Sequence, residues 1–98
     1  MADAATLMIS VGSYLPERIM TNQELTALVD TSDEWIRQRT GIAQRHIVAE
    51  GEKTSDLARH AAEQALDSAG LVAGDLDLII IATSTPDDTF PSTATKVQ

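Results

Sequence analysis

Residues 30–42 read D-T-S-D-E-W-I-R-Q-R-T-G-I, and they hold the single tryptophan of the chain, Trp35, followed by Arg37 and Arg39. An indole face can stack on a nucleobase while guanidinium groups beside it meet phosphates. Arg45 lies a few residues on, and these three arginines belong to a set of seven basic residues in a chain of net charge −8. Chemistry of this kind binds a nucleotide rather than reacting with it. The same residues have a plainer use. Trp35 can pack against a core, and the arginines can pair with Asp30, Asp33 and Glu34. Spacing leaves both readings open.

The other chemistry-bearing residues offer less. His46 and His60 are the two imidazoles, and neither has a zinc-like spacing to another ligand. His46 is expected to be structural, and His60, beside Arg59 on a helix, to be solvated. Asp87-Asp88 could hold a cation or act as a base, but an acidic pair between two prolines is ordinarily a solvated loop. Phe90 is an apolar residue in a polar stretch, suited to plugging its own core or a partner's surface. With no cysteine and no Ser–His–acid set, no nucleophile–base pair can be assembled. The expected catalytic residues are none, and the expected metal ligands none.

The elements that must position these residues follow from pattern. Residues 6–11 (T-L-M-I-S-V) read as a strand stopping near Tyr14, before the turn signal around Pro16. Thr21 caps a short helix with Glu24 in its first turn and Leu25, Leu28 and Val29 on one face. Ser32 caps a second helix, which carries Trp35 and Ile36 and ends at Gly41. Residues 43–49 are expected to be extended, and residues 50–53 form a polar turn. The clearest helix runs over 54–69 and is closed by Gly70. Its apolar stripe (Leu57, Ala58, Ala61, Ala62, Ala65, Leu66, Ala69) is mostly alanine, which lets another backbone lie close. Residues 78–82 (L-I-I-I-A) form an unbroken apolar run, predicting a strand covered on both faces as in a parallel sheet. A loop over 83–91 leads to Ser92, which caps a helix from about Thr93. The order predicts a right-handed βαβ unit.

Composition bounds the class. Ninety-eight residues at 43% hydrophobic content, with aromatics at 3%, suit a small α/β domain, or part of one, with an aliphatic core. The acidic balance argues against nucleic-acid binding. No apolar run reaches the roughly 18 residues of a membrane span, and the first residues lack the basic and apolar regions of a secretory signal. A cytoplasmic protein is expected.

Taken in order, G-S-Y-L-P (12–16), T-N-x-E-L (21–25), D-T-S-D-E-W-I-x-x-R-T-G-I (30–42), R-H-I (45–47), A-x-x-A-L-x-x-A-G (62–70) and I-A-T-S-T-P-D…F-P-S-T-A (81–94) resemble the N-terminal part of β-ketoacyl-acyl-carrier-protein synthase III. The resemblance implies about the first third of a thiolase-fold, α-β-α-β-α layered condensing enzyme, with a nucleotide-entrance excursion over 21–50. Such enzymes join an acyl-CoA primer to malonyl-acyl carrier protein, with CoA as part of a substrate and no separate cofactor. They are usually homodimers. The resemblance implies that Trp35 stacks on the CoA adenine, while Thr31 and Arg39 contact the nucleotide or its phosphates. It implies that Ser84 lies near the primer wall and that Phe90 sits at a dimer contact closing the neighbour's acyl pocket. The family's catalytic cysteine, histidine and asparagine have no counterpart in these 98 residues. The resemblance therefore implies a partner in the C-terminal part of the same polypeptide and no condensing activity for this segment by itself. A non-catalytic truncated fragment and a related acyltransferase of secondary metabolism are the alternatives.

Overall fold

The computed structural model describes residues 4–98. They resolve into two compact units. One is continuous, Leu15–Glu52, and the other combines the described residues up to Tyr14 with Lys53–Gln98.

In the continuous unit, β1 (Arg18–Thr21) pairs antiparallel with β2 (Gln44–Ile47), in the register Arg18↔Ile47 to Thr21↔Gln44. β1 is not expected from the sequence, because R-I-M-T is too short to show alternation. The extended stretch expected over 43–49 is realised as β2. Between the strands lie α1 (Asn22–Leu25) and α2 (Asp33–Thr40). Thr21 caps α1 through its side chain, which accepts from the Glu24 amide. The helix is a single turn, since Thr26 turns its hydroxyl onto the Gln23 carbonyl at 2.6 Å and competes with further helix. The expected Leu25–Leu28–Val29 face does not form, and Leu28 and Val29 are exposed.

α2 is bounded as its sequence requires. The Ser32 hydroxyl accepts from the Trp35 amide at 3.1 Å. Asp33 and Glu34 fall in the first turn and Arg37 and Arg39 in the last, matching the helix dipole. Gly41 takes the left-handed conformation (φ 73°), and its amide donates to Arg37 at 2.8 Å. Ile36 is the buried aliphatic side chain of this unit.

In the other unit, α3 (Thr54–Ala69) has the predicted bounds. It ends in a Schellman motif, with Gly70 donating to Asp67 and Leu71 to Leu66. Its alanine stripe receives residues 10–13. The Ser10 hydroxyl donates to the Ala65 carbonyl at 2.7 Å, and the Ser13 amide donates to Gln64 Oε1 at 2.7 Å. Gly12 lies so near α3 that an ideal Cβ would fall 2.2 Å from the Ala61 carbonyl oxygen. A 3-10 turn, Ala73–Asp75, follows α3, and α4 (Thr93–Val97) packs against α3.

The predicted βαβ pair is corrected by the structure. Neither 6–11 nor 78–82 forms a strand, and no backbone hydrogen bond joins either segment to another among the described residues. A parallel ladder needs paired neighbours and covered faces. Here Leu78 and Ile80 remain 74% and 80% exposed. The apolar run reports the cover it needs, and the described residues do not supply that cover.

Candidate functional site

α2 presents the candidate residues on one face. Trp35 is 54% exposed, and the Arg39 guanidinium lies over its ring, 5.3 Å from the centroid. The i, i+4 spacing of a helix makes this neighbourhood. An exposed cation–π contact is worth about 0.5–1 kcal/mol. Among the described residues no carboxylate pairs with Arg39, so its charge is left for another partner. Arg37 is otherwise occupied. Its Nε donates to both Asp33 oxygens, at 2.8 and 2.9 Å. That bond, followed by one from Asn22, holds the Asp33 carboxyl below the usual carboxylate range. The open choice for the arginines is thus divided: Arg37 pairs with an acid and Arg39 pairs with the indole.

Thr31 precedes the cap of α2. Its hydroxyl oxygen is buried and has no hydrogen-bond partner among the described residues. A buried hydroxyl without a partner costs about 1–3 kcal/mol.

Behind this face sits a residue whose role the sequence did not disclose. Asn22 is 1% exposed. Its Nδ2 donates to Asp33 Oδ1 at 2.8 Å and to the Ile42 carbonyl at 2.7 Å, and its Oδ1 accepts from Arg45 Nη2 at 2.7 Å. Its backbone amide donates to the Ala43 carbonyl at 3.1 Å. Two acceptors at the nitrogen and one donor at the oxygen fix the amide orientation. One signal pointed to it: Thr21 already serves as cap, so an asparagine at the first helical position, where it is a poor helix former, calls for another use. Arg45 thereby acts inside the unit, half-buried, rather than as a third exposed arginine.

The remaining candidates lie in the other unit. Ser84 is exposed, and Phe90 is 87% exposed in the loop before α4. The expectation of a solvated Asp87-Asp88 pair is corrected for Asp87, while the Asp88 side chain is exposed as expected. The Asp87 side chain is 1% exposed. It accepts from the Ser55 amide at 2.9 Å and from the Ser55 hydroxyl at 2.5 Å, at the N-terminus of α3, while its own amide donates to Thr93. Asp88 pairs with Lys96. Asp87 fastens the loop to the starts of both α3 and α4, its carboxylate complementing the free amides at the α3 N-terminus, while Asp88 ties the loop to Lys96 in the last turn of α4.

The histidines also find local partners. The His46 Nδ1 lies 2.6 Å from the Pro16 carbonyl oxygen. His60 is partly covered rather than solvated, stacked on Tyr14 at 4.6 Å and 3.9 Å from Glu63. Among the described residues no three His, Asp or Glu side chains group as metal ligands. No helix among them is long and apolar enough to cross a membrane.

No family model matches the chain. Individual proteins do. A β-ketoacyl-[acyl-carrier-protein] synthase III of Paramagnetospirillum magneticum is 65% identical over 91 residues, which are 93% of this chain and 28% of that protein. The synthase III of Bradyrhizobium diazoefficiens is 58% identical over 98 residues, 100% of this chain and 30% of that protein. Among solved structures, 3-oxoacyl-[acyl-carrier-protein] synthase III from Aquifex aeolicus superposes with a TM-score of 0.83 at 52% identity, over 91% of this chain and 29% of that one. The priming β-ketosynthase from the R1128 polyketide biosynthetic pathway gives 0.82 at 32% identity, over 91% of this chain and 27% of that one. The chain therefore spans under a third of the length of the relatives it matches. Over that span the chain is similar in both sequence and backbone to β-ketoacyl-acyl-carrier-protein synthase III enzymes, and it carries part of their α/β thiolase fold.

Proposed function

We propose that this segment supplies the nucleotide-end binding face of an enzyme that initiates fatty-acid synthesis. The enzyme joins an acyl-CoA primer to malonyl-acyl carrier protein with loss of carbon dioxide. The observation that carries the proposal is the Trp35–Arg39 pair, an exposed indole beside a guanidinium that meets no carboxylate among the described residues. In this reading Trp35 stacks on the CoA adenine and Arg39 meets the phosphates. Thr31, with its unpartnered hydroxyl, gives a polar contact at the same end. The entrance excursion is residues 21–50. Ser84 lies near the primer wall. Phe90, held out on a fastened loop, meets a second copy of the chain in a homodimer and helps close that copy's acyl pocket. The enzyme works in the cytoplasm.

With no cysteine in the segment, the thiolate that takes the acyl group from CoA comes from the rest of the polypeptide. A thioester formed there divides carbon–carbon bond formation into two steps: acyl transfer with release of CoA, then attack by the decarboxylated malonyl carbon. A priming role in polyketide synthesis is the second reading, favoured by the backbone match to the R1128 enzyme. The higher identity to the synthase III relatives supports the first.

The test is a titration of the full-length enzyme with CoA, followed by Trp35 fluorescence. CoA is expected to change the emission. Trp35→Ala is expected to raise the KM for acetyl-CoA about tenfold or more, the scale of one lost base–aromatic stack. Unchanged emission together with an unchanged KM in the variant would refute the assignment.

A further inference from the structure

We propose that Asn22 is a positioning residue for the nucleotide-end site, setting the pose of α2 and therefore of Trp35 and Arg39. This inference rests on the proposed role of those two residues. α2 has eight residues, and a helix that short has no independent stability in water. Its pose depends on tertiary anchors, and among the described residues there are two on its inner side. One is the buried Ile36, an apolar contact that resists sliding weakly because it is not directional. The other is the Asn22 amide group.

The geometry makes Asn22 a clamp. A single nitrogen, Nδ2, holds Asp33 in the first turn of α2 and the Ile42 carbonyl just beyond its C-terminal glycine. The two flanks of the helix are therefore tied to one point at the end of β1. The oxygen of the same amide is held by Arg45, from the middle of β2, so the clamp itself cannot rotate. Asp33 passes the constraint on through Arg37, one turn further along α2. Among the described residues no hydrogen bond or ion pair joins Trp35 or Arg39 to Asn22. Its effect on the ligand passes through the helix backbone, where a small misplacement is costly because stacking and phosphate contacts require alignment.

Loss of the clamp is expected to weaken binding of acyl-CoA without slowing the chemistry of bound substrate. In the full-length enzyme, Asn22→Ala is expected to raise the KM for acetyl-CoA, and the dissociation constant for CoA itself, by about tenfold, with kcat within about twofold. A second pair of variants guards against simple unfolding. Asn22→Asp cannot donate to Asp33 or Ile42 and should behave like Asn22→Ala. Combining it with Asp33→Asn restores one donor–acceptor contact between the two positions and should recover part of the KM. If kcat falls in proportion to the folded fraction while KM stays put, or if the double variant recovers nothing, the positioning role is wrong. Trp35→Ala, measured alongside, separates the two levels. An effect at Trp35 with none at Asn22 overturns only this inference. No effect at Trp35 overturns the site reading and this inference with it.

Discussion

Replacing Gly12 by alanine tests the packing of the alanine-striped helix. The added Cβ would lie 2.2 Å from the Ala61 carbonyl oxygen, 2.6 Å from the Ala65 nitrogen and 3.1 Å from the Ala65 Cα. Ordinary carbon contacts begin at about 3.5 Å, so the two backbones must separate by more than about 1 Å. Ala61 and Ala65 stand one helical turn apart, so the methyl would press on the backbone of α3 beside its own hydrogen-bond ladder. The helix cannot yield there without losing a bond. The 10–13 segment must move instead, which stretches the Ser10–Ala65 and Ser13–Gln64 bonds. Overpacking costs about 1–3 kcal/mol, and the buried-side Ser10 bond adds about 1 kcal/mol, for a total near 3 kcal/mol. Gly12 does not have a positive φ, so conformational freedom does not explain the glycine. Where the space permits, Gly→Ala stabilises by about 0.4–1 kcal/mol through the unfolded chain. The predicted sign is therefore opposite to the default. Urea denaturation of the full-length polypeptide, Gly12 against Gly12→Ala, reads the difference directly. A variant as stable as the parent, or more so, would refute the close-approach argument. Because the clash is with backbone, trimming a neighbour by Ala65→Gly should not rescue it.

Gly41 makes the complementary case. It has φ 73° and nothing within 4 Å of an added Cβ, so Gly41→Ala should cost about 1–2 kcal/mol from backbone strain alone. Gly41→Asn should cost less, and equal losses in a denaturation series would contradict this. Asp87 yields a pH prediction. The Ser55 hydroxyl, then the Ser55 amide, hold its carboxyl below the usual range. A depressed folded pKa gives stability that is present above the unfolded value and lost as pH falls through the folded one. The thermal midpoint should therefore drop as pH falls below about 4, and Asp87→Asn should lower the neutral midpoint while flattening that acid limb. An acid limb unaltered in the variant would show that other carboxylates control it.

How legible the fold was depended on the range of the interactions. Caps and helix ends are written in adjacent residues, so Thr21, Ser32, Gly41 and Gly70 stand where the sequence puts them. The alanine stripe also announces its close neighbour, although not that the neighbour is Gly12. Strands 6–11 and 78–82 fail because a ladder belongs to two segments, and an apolar run says nothing of whether its partner is present. The site divides in the same way. Trp35 and its neighbouring arginines are legible as one short helical stretch, though not which arginine meets the indole, while Asn22 and Asp87 look like surface polar residues until distant groups, Ile42 and Ser55 among them, close on them.

The division of the chain has a consequence for its entropy of assembly. Leu15–Glu52 interrupts a unit whose two pieces meet through residues 10–14 and α3. Tyr14 stacks on His60, which stands about 10 Å along the helix from Lys53. The ends of the interruption are therefore held at close range by the unit that lacks it. Joining them by a chain of almost any length changes loop-closure entropy only logarithmically, about 0.6 kcal/mol for each doubling. Residues 15–52 can therefore lengthen, shorten or be exchanged at small thermodynamic cost to the unit they interrupt, so this part of the chain can diversify without rebuilding the rest.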